Sequence, residues 1–297
     1  DEGYGLVKFK TDRFGLRNND KKWENISNQN IYILGDSFAQ GACVRERYTI
    51  PNIIEENTYI NTFNIAFSGN NPYVYIAALQ NFIDPLIKLS NKQNYVVIIF
   101  YANDEINKNE YLENLLNNSS VMVSKSKKNI IQPTDNYKNQ LYKLVKNNYP
   151  LSKDKIISRI KYTPFKYSYS YGIFTLSPVR YLIKKSIKKY HNNIKLNPIK
   201  HTSISGRTIE KLSKICNTNC KPIVTFIPNS IYWRPNRISN DYKLELKSIS
   251  EKVNITFIDA GKVIDPMNIK NYAPKGPHLS IEGYKKIADL ISIEIKN

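Results

Sequence analysis

The feature that most constrains this chain is a series of short runs rich in β-branched and aromatic residues, at 31–34, 62–66, 95–101, 222–227 and 253–258, each bounded by turn formers. Runs of this length predict strands buried on both faces, which is the habit of parallel sheets. Helix-length segments at 71–89, 238–252 and 281–295 lie between and after them. Strand and helix therefore alternate as in a doubly wound α/β domain with a central parallel sheet of about five strands. In that architecture ligands bind beyond the carboxyl ends of the strands, so the residues just after each run are the ones to inspect.

The interval 105–214 breaks the alternation. It is too long for one crossover and is rich in Lys, Asn and Tyr, and reads as a helical insertion within a single domain spanning 1–297. Inside it Tyr162, Phe165, Tyr167, Tyr169, Tyr171 and Phe174 interleave with Lys161 and Lys166. Such a row either stacks on sugars or bases, or packs the insertion onto the sheet. No internal repeat and no linker rich in Pro, Gly or Ser separates the parts.

With 297 residues, 41% of them hydrophobic, the chain buries a substantial core. Its formal charge of +19 attracts polyanions at long range, but Lys, Asn and Ile are abundant together, a bias that a low-GC genome produces unaided. An acidic polysaccharide fits that charge. No nucleic-acid recognition motif accompanies it. Cys43, Cys216 and Cys220, with only three His, show no zinc-ligand spacing, so a metal site is not expected. Cys216 and Cys220 either close a small loop or stay reduced. No run approaches the ~20 apolar residues needed to cross a bilayer. The chain opens on Asp1, leaving room for an upstream signal or anchor, and an extracytoplasmic location is the expectation.

The first run ends in Gly35-Asp36-Ser37-Phe38-Ala39-Gln40-Gly41. A Ser there, on a tight strand-to-helix turn, exposes its hydroxyl at the sheet edge and presents its own amide to a substrate oxygen. No Gly-x-Ser-x-Gly elbow occurs, which argues against an ordinary α/β-hydrolase. Gly69 follows the second run and Asn103 the third, so three donors from three strand ends converge on one developing oxyanion, each worth about 3 kcal/mol in a transition state. Alternatively Gly69 shapes a turn and Asn103 caps a helix. A serine nucleophile needs a base. His191 lies in a lysine-rich helical stretch and His201 has no supporting pattern, whereas His278 sits in the constrained loop Pro274-Lys275-Gly276-Pro277-His278-Leu279-Ser280 before the last helix.

Gly35-Asp36-Ser37, Gly69, Asn103-Asp104 and His278-Leu279-Ser280 with Gly283-Tyr284 resemble, in order and at strand ends, the four blocks of the SGNH (GDSL) hydrolases. Thr11-Asp12-Arg13-Phe14-Gly15-Leu16-Arg17-Asn18 is similar to the lead-in of bacterial SGNH domains associated with polysaccharide acylation. The resemblance implies a three-layer α/β/α flavodoxin-like sandwich that needs no metal or organic cofactor, a Ser37 nucleophile supported by Asp36, a His278 base, and an oxyanion hole from the Ser37 amide, Gly69 and Asn103. Family members carry an Asp three residues before the base; here that position is Lys275. Three readings stay open. A backbone carbonyl orients His278 in a Ser–His dyad, a displaced carboxylate such as Asp265, Asp259 or Glu282 does so, or catalysis is lost and the fold binds glycan. The leading expectation is a serine esterase or O-acyltransferase acting on acetyl esters of a bacterial glycan.

Overall fold

The computed structural model describes residues 2–26, 28–102, 104, 122–123, 130–131, 203–217, 219–230 and 240–297. The aromatic row at 161–174, His191, His201, Asn103 and most of the interval 105–214 lie outside the described residues.

A five-stranded sheet forms the centre, built from β1 (Asn30–Gly35), β2 (Asn61–Asn64), β3 (Asn94–Tyr101), β6 (Cys220–Ile227) and β7 (Thr256–Asp259). Its order is β2-β1-β3-β6-β7, and all four pairings are parallel. A short antiparallel pair, β4 (Met122–Val123) with β5 (Ile130–Ile131), stands apart from it. The strands at 222–227 and 95–101 fall where their apolar runs put them. The last begins later than its run: Val253 closes the preceding helix onto Ile249, and Asn254 turns at φ 57° before the chain extends.

Side chains alternate along the central strands and supply two cores. Tyr32, Leu34, Val96, Ile98, Phe100, Val224 and Phe226 face one side, and Ile31, Ile33, Val97, Ile99, Tyr101, Ile223 and Ile227 the other. The first face is covered by α3 (Pro72–Ala78), which runs through a π-turn (Leu79–Ile83) into α4 (Asp84–Leu89), and by α5 (Ile204–Ile215) and α6 (Asn240–Lys252). The second is covered by α1 (Ser37–Gln40), α2 (Ile50–Thr58) and α7 (Ile281–Lys296). The result is a three-layer α/β/α sandwich. Residues 204–214, read as the end of the insertion, belong to α5, whose Ile209 and Leu212 enter the first core.

From β1 the chain moves outward to β2, then returns across β1 to β3. The strand order thus reverses beside the carboxyl end of β1, the switch point at which open α/β sheets bind ligands. Ser37 is the second residue after that strand.

Candidate active site

Gly35 closes β1 because nothing larger fits: a Cβ there would lie 2.5 Å from Ala39 Cβ and 2.9 Å from the Ile99 carbonyl oxygen. This close approach lets α1 start at once. Asp36 is buried and caps α1, its side chain accepting from Phe38 N at 2.9 Å. The turn after β2 is tied to the same element, with Phe67 N donating to the Gly35 carbonyl at 3.2 Å and Ser68 N to Gln40 Oε1 at 3.2 Å. Gly69 follows with φ 86°. Asp104, after β3, is buried and accepts from Tyr101 N at 3.0 Å and from the Tyr75 hydroxyl at 3.2 Å.

The lead-in at 11–18 acquires a physical role in this frame. Asp12 is buried and accepts from Phe14 N, Leu16 N, Asn18 Nδ2 and Trp23 Nε1, each at 2.9 Å. That turn aims Arg17 inward, where its guanidinium donates to the carbonyls of Gly41 at 2.7 Å and Val44 at 2.8 Å. Asn18 exchanges bonds with the Asn64 backbone at 2.7 and 3.0 Å. The lead-in therefore fastens the turn that carries Ser37 to the end of β2.

His278 reaches the site from the other end of the chain. Its loop is closed by Ala273 N donating to the His278 carbonyl at 2.7 Å and by the bridge between Tyr272 and Leu279. Ser280 then caps α7, its hydroxyl accepting from Gly283 N at 3.0 Å and donating to the Lys270 carbonyl at 2.6 Å. The imidazole tilts against Phe38, with ring centroids 4.7 Å apart, and its Nε2 lies 2.8 Å from Ser37 Oγ.

The other ring nitrogen decides what this pair can do. His278 Nδ1 lies 2.7 Å from Glu2 Oε1, and the His278 backbone N–H donates to Glu2 Oε2 at 3.0 Å. With a carboxylate on Nδ1, the tautomer that satisfies both contacts carries its proton there and leaves Nε2 free to accept from Ser37. Glu2 is itself held: its carbonyl accepts from Lys275 N at 2.9 Å. Gly276 leaves the space for its side chain, since a Cβ there would lie 1.9 Å from Glu2 Cδ. Two residues on, the Tyr4 hydroxyl accepts from Ile281 N at 3.4 Å and anchors the segment to the start of α7.

This arrangement corrects the sequence-based expectation for the orienting group. Asp259 accepts from Gly261 N and pairs with Lys243, both at 2.8 Å. Asp265 accepts from Met267 N at 2.8 Å. Glu282 pairs with Lys286 on α7 at 3.2 Å. All three are engaged locally, and Glu2 stands at the imidazole instead. Lys275 is exposed and offers only its backbone to the site.

Sequence reading also missed Cys43, which takes φ 70° and brings its Sγ to 3.9 Å from His278 Nδ1. Burial, and next the negative Glu2, push its thiol up to about 12. A thiol so shifted is protonated at neutral pH and is not a competing nucleophile. Cys216 and Cys220 form a disulfide that joins the end of α5 to the start of β6.

No family model and no curated protein matches the chain. Solved structures do resemble it. TesA is 9% identical with a TM-score of 0.48, over 90% of this chain and 98% of that one. A member of the lipolytic protein G-D-S-L family from Veillonella parvula DSM 2008 is 12% identical with a TM-score of 0.46, over 90% and 97%. The native M. smegmatis aryl esterase is 10% identical with a TM-score of 0.44, over 90% and 98%.

Proposed function

We propose that the chain is an SGNH-type serine ester hydrolase or O-acyltransferase that works through an acyl-Ser37 intermediate. The observation that carries this reading is the hydrogen-bonded series Ser37, His278, Glu2 at the switch point of the sheet. Ser37 Oγ attacks an ester carbonyl while His278 Nε2 takes its proton. Glu2 stabilises the imidazolium so formed. Collapse of the tetrahedral intermediate breaks the ester C–O bond, and the imidazolium returns its proton to the departing alcohol. Water, or a second alcohol, then gives its proton to His278 and attacks the acyl group, releasing Ser37. In this scheme the Ser37 amide, Gly69 and Asn103 hold the oxyanion.

An acetylated bacterial glycan is the proposed substrate, favoured by the likeness of the 11–18 lead-in to polysaccharide-associated domains and by a charge of +19 suited to an acidic polymer. The Cys216–Cys220 disulfide supports an oxidising, extracytoplasmic setting. Turnover of p-nitrophenyl acetate tests the enzymatic core. Ser37→Ala is expected to reduce kcat by about 10⁴-fold or more, and a serine-directed phosphonate to label the wild type at Ser37 by mass spectrometry. Wild-type turnover no higher than that of Ser37→Ala, with no adduct, would sink the proposal.

A further inference from the structure

Glu2, Cys43 and His278 come from three distant parts of the chain, yet a carboxylate oxygen, Sγ and a ring nitrogen of the three all lie within 4.8 Å of one another. Sulfur, imidazole nitrogen and carboxylate oxygen are the three donor types that zinc prefers. A tetrahedral zinc with Zn–S of about 2.3 Å and Zn–N of about 2.0 Å holds sulfur and nitrogen roughly 3.5 Å apart. Cys43 Sγ and His278 Nδ1 already stand at 3.9 Å. The Glu2 contact, at 2.7 Å, has only to open by about half an ångström to admit an ion between oxygen and nitrogen. The side chains of His278 and Glu2 keep 17% and 15% of their exposure, so the cluster has a face toward solvent. Within the proposed acyl-transfer mechanism Cys43 has no task.

We propose that this cluster is an inhibitory site for a thiophilic divalent cation of the zinc class. Binding replaces the Cys43 thiol proton, released to solvent, with a sulfur–metal bond. The single ring proton of neutral His278 moves through solvent from Nδ1 to Nε2, and the Nδ1 lone pair so freed forms the nitrogen–metal bond, leaving a neutral imidazole protonated on Nε2. That nitrogen then donates to Ser37 Oγ and has no lone pair with which to take the serine proton. The cation thus switches off the base without occupying the acyl site, and chelation restores it. The inhibitory consequence rests on reading Ser37 and His278 as nucleophile and base; the metal site itself does not.

Two readouts keep these apart. Titrating Co²⁺ into the wild type, and into Ser37→Ala, is expected to produce a thiolate-to-cobalt charge-transfer band in the near ultraviolet, which Cys43→Ser and Cys43→Ala lose. Because the other two cysteines are joined in a disulfide, such a band in the wild type already assigns Cys43 as a ligand. With p-nitrophenyl acetate, saturating Zn²⁺ is expected to slow the wild type about 10³-fold or more, the wrong histidine tautomer costing about 10⁴ in a serine protease. Excess chelator is expected to reverse it. Each Cys43 variant, compared with its own metal-free rate, is expected to need at least about tenfold more Zn²⁺. Absence of the band from folded wild type, or equal Zn²⁺ sensitivity with and without Cys43, would overturn the site. Esters left uncleaved by every form, alongside a clear band, would remove the proposed function and the inhibitory role while leaving the metal site standing.

Discussion

At the scale of single residues, Glu2 approaches His278 from a segment remote in sequence, and its worth to the proposed mechanism is measurable. Glu2→Gln keeps the shape but lets an amide N–H face Nδ1, which favours the unproductive tautomer. Its kcat is expected to fall by about 10³- to 10⁴-fold with KM little changed. A variant within tenfold of wild type would return the site to a dyad. Gly276→Ala tests the same contact from behind. Its methyl group needs the space that the Glu2 carboxyl fills, and a displacement of about 1 Å in a catalytic array costs roughly 10² in rate. Steady-state kinetics separate that loss from a folding defect if the unfolding midpoint moves little. Neither residue was legible in the sequence. Asp259, Asp265 and Glu282 stand near His278 along the chain, but short acidic side chains beside turns are taken by local amides and lysines. Glu2 has no local pattern to betray it, because its partner lies 276 positions away.

Elements explain why the rest of the site was readable. Strands apolar on both faces identify themselves by composition, and the residues that follow them inherit the carboxyl edge of the sheet, so Ser37 could be placed there from the sequence, and His278, from the loop before the last helix, meets it. The helix Ile50–Thr58 was not foreseen, since its apolar residues Ile50, Ile53 and Ile54 are few and Asn and Glu separate them from the next strand. The stability of the turn that carries Ser37 also belongs to this scale. Arg17 holds the chain leaving α1 through buried bonds to the carbonyls of Gly41 and Val44, and burial pulls its guanidinium below the ordinary arginine range. Arg17→Met keeps the stem but abandons those carbonyls, and is expected to cost about 2–4 kcal/mol in urea unfolding. A loss below about 0.5 kcal/mol, in the range of an ordinary surface substitution, would mean that the lead-in does not brace the turn.

The whole molecule carries a signature at alkaline pH. Tyr32, Tyr75, Tyr272 and Tyr284 are buried, and desolvation raises each above the ordinary tyrosine value of 10.0. A phenol with a raised folded value is protonated in the fold while the unfolded chain has begun to release protons. The unfolded state then binds fewer protons, and stability falls as pH climbs from about 10 toward the raised values. Melting temperatures measured across that interval are expected to drop steeply, with tyrosinate absorbance rising only as the protein unfolds. Tyrosinate appearing before the melt would show that the phenols reach water in the fold. The hydrogen-bonded contact between Glu2 and His278 has another consequence, one of timing. During synthesis the Glu2 carboxylate leaves the ribosome 276 residues ahead of the imidazole it meets, and the sheet that holds them together is finished only when β7 has docked. A nascent chain therefore holds Ser37 early and without its imidazole partner, and under the proposed function ester cleavage begins only once the final loop has been both translated and folded.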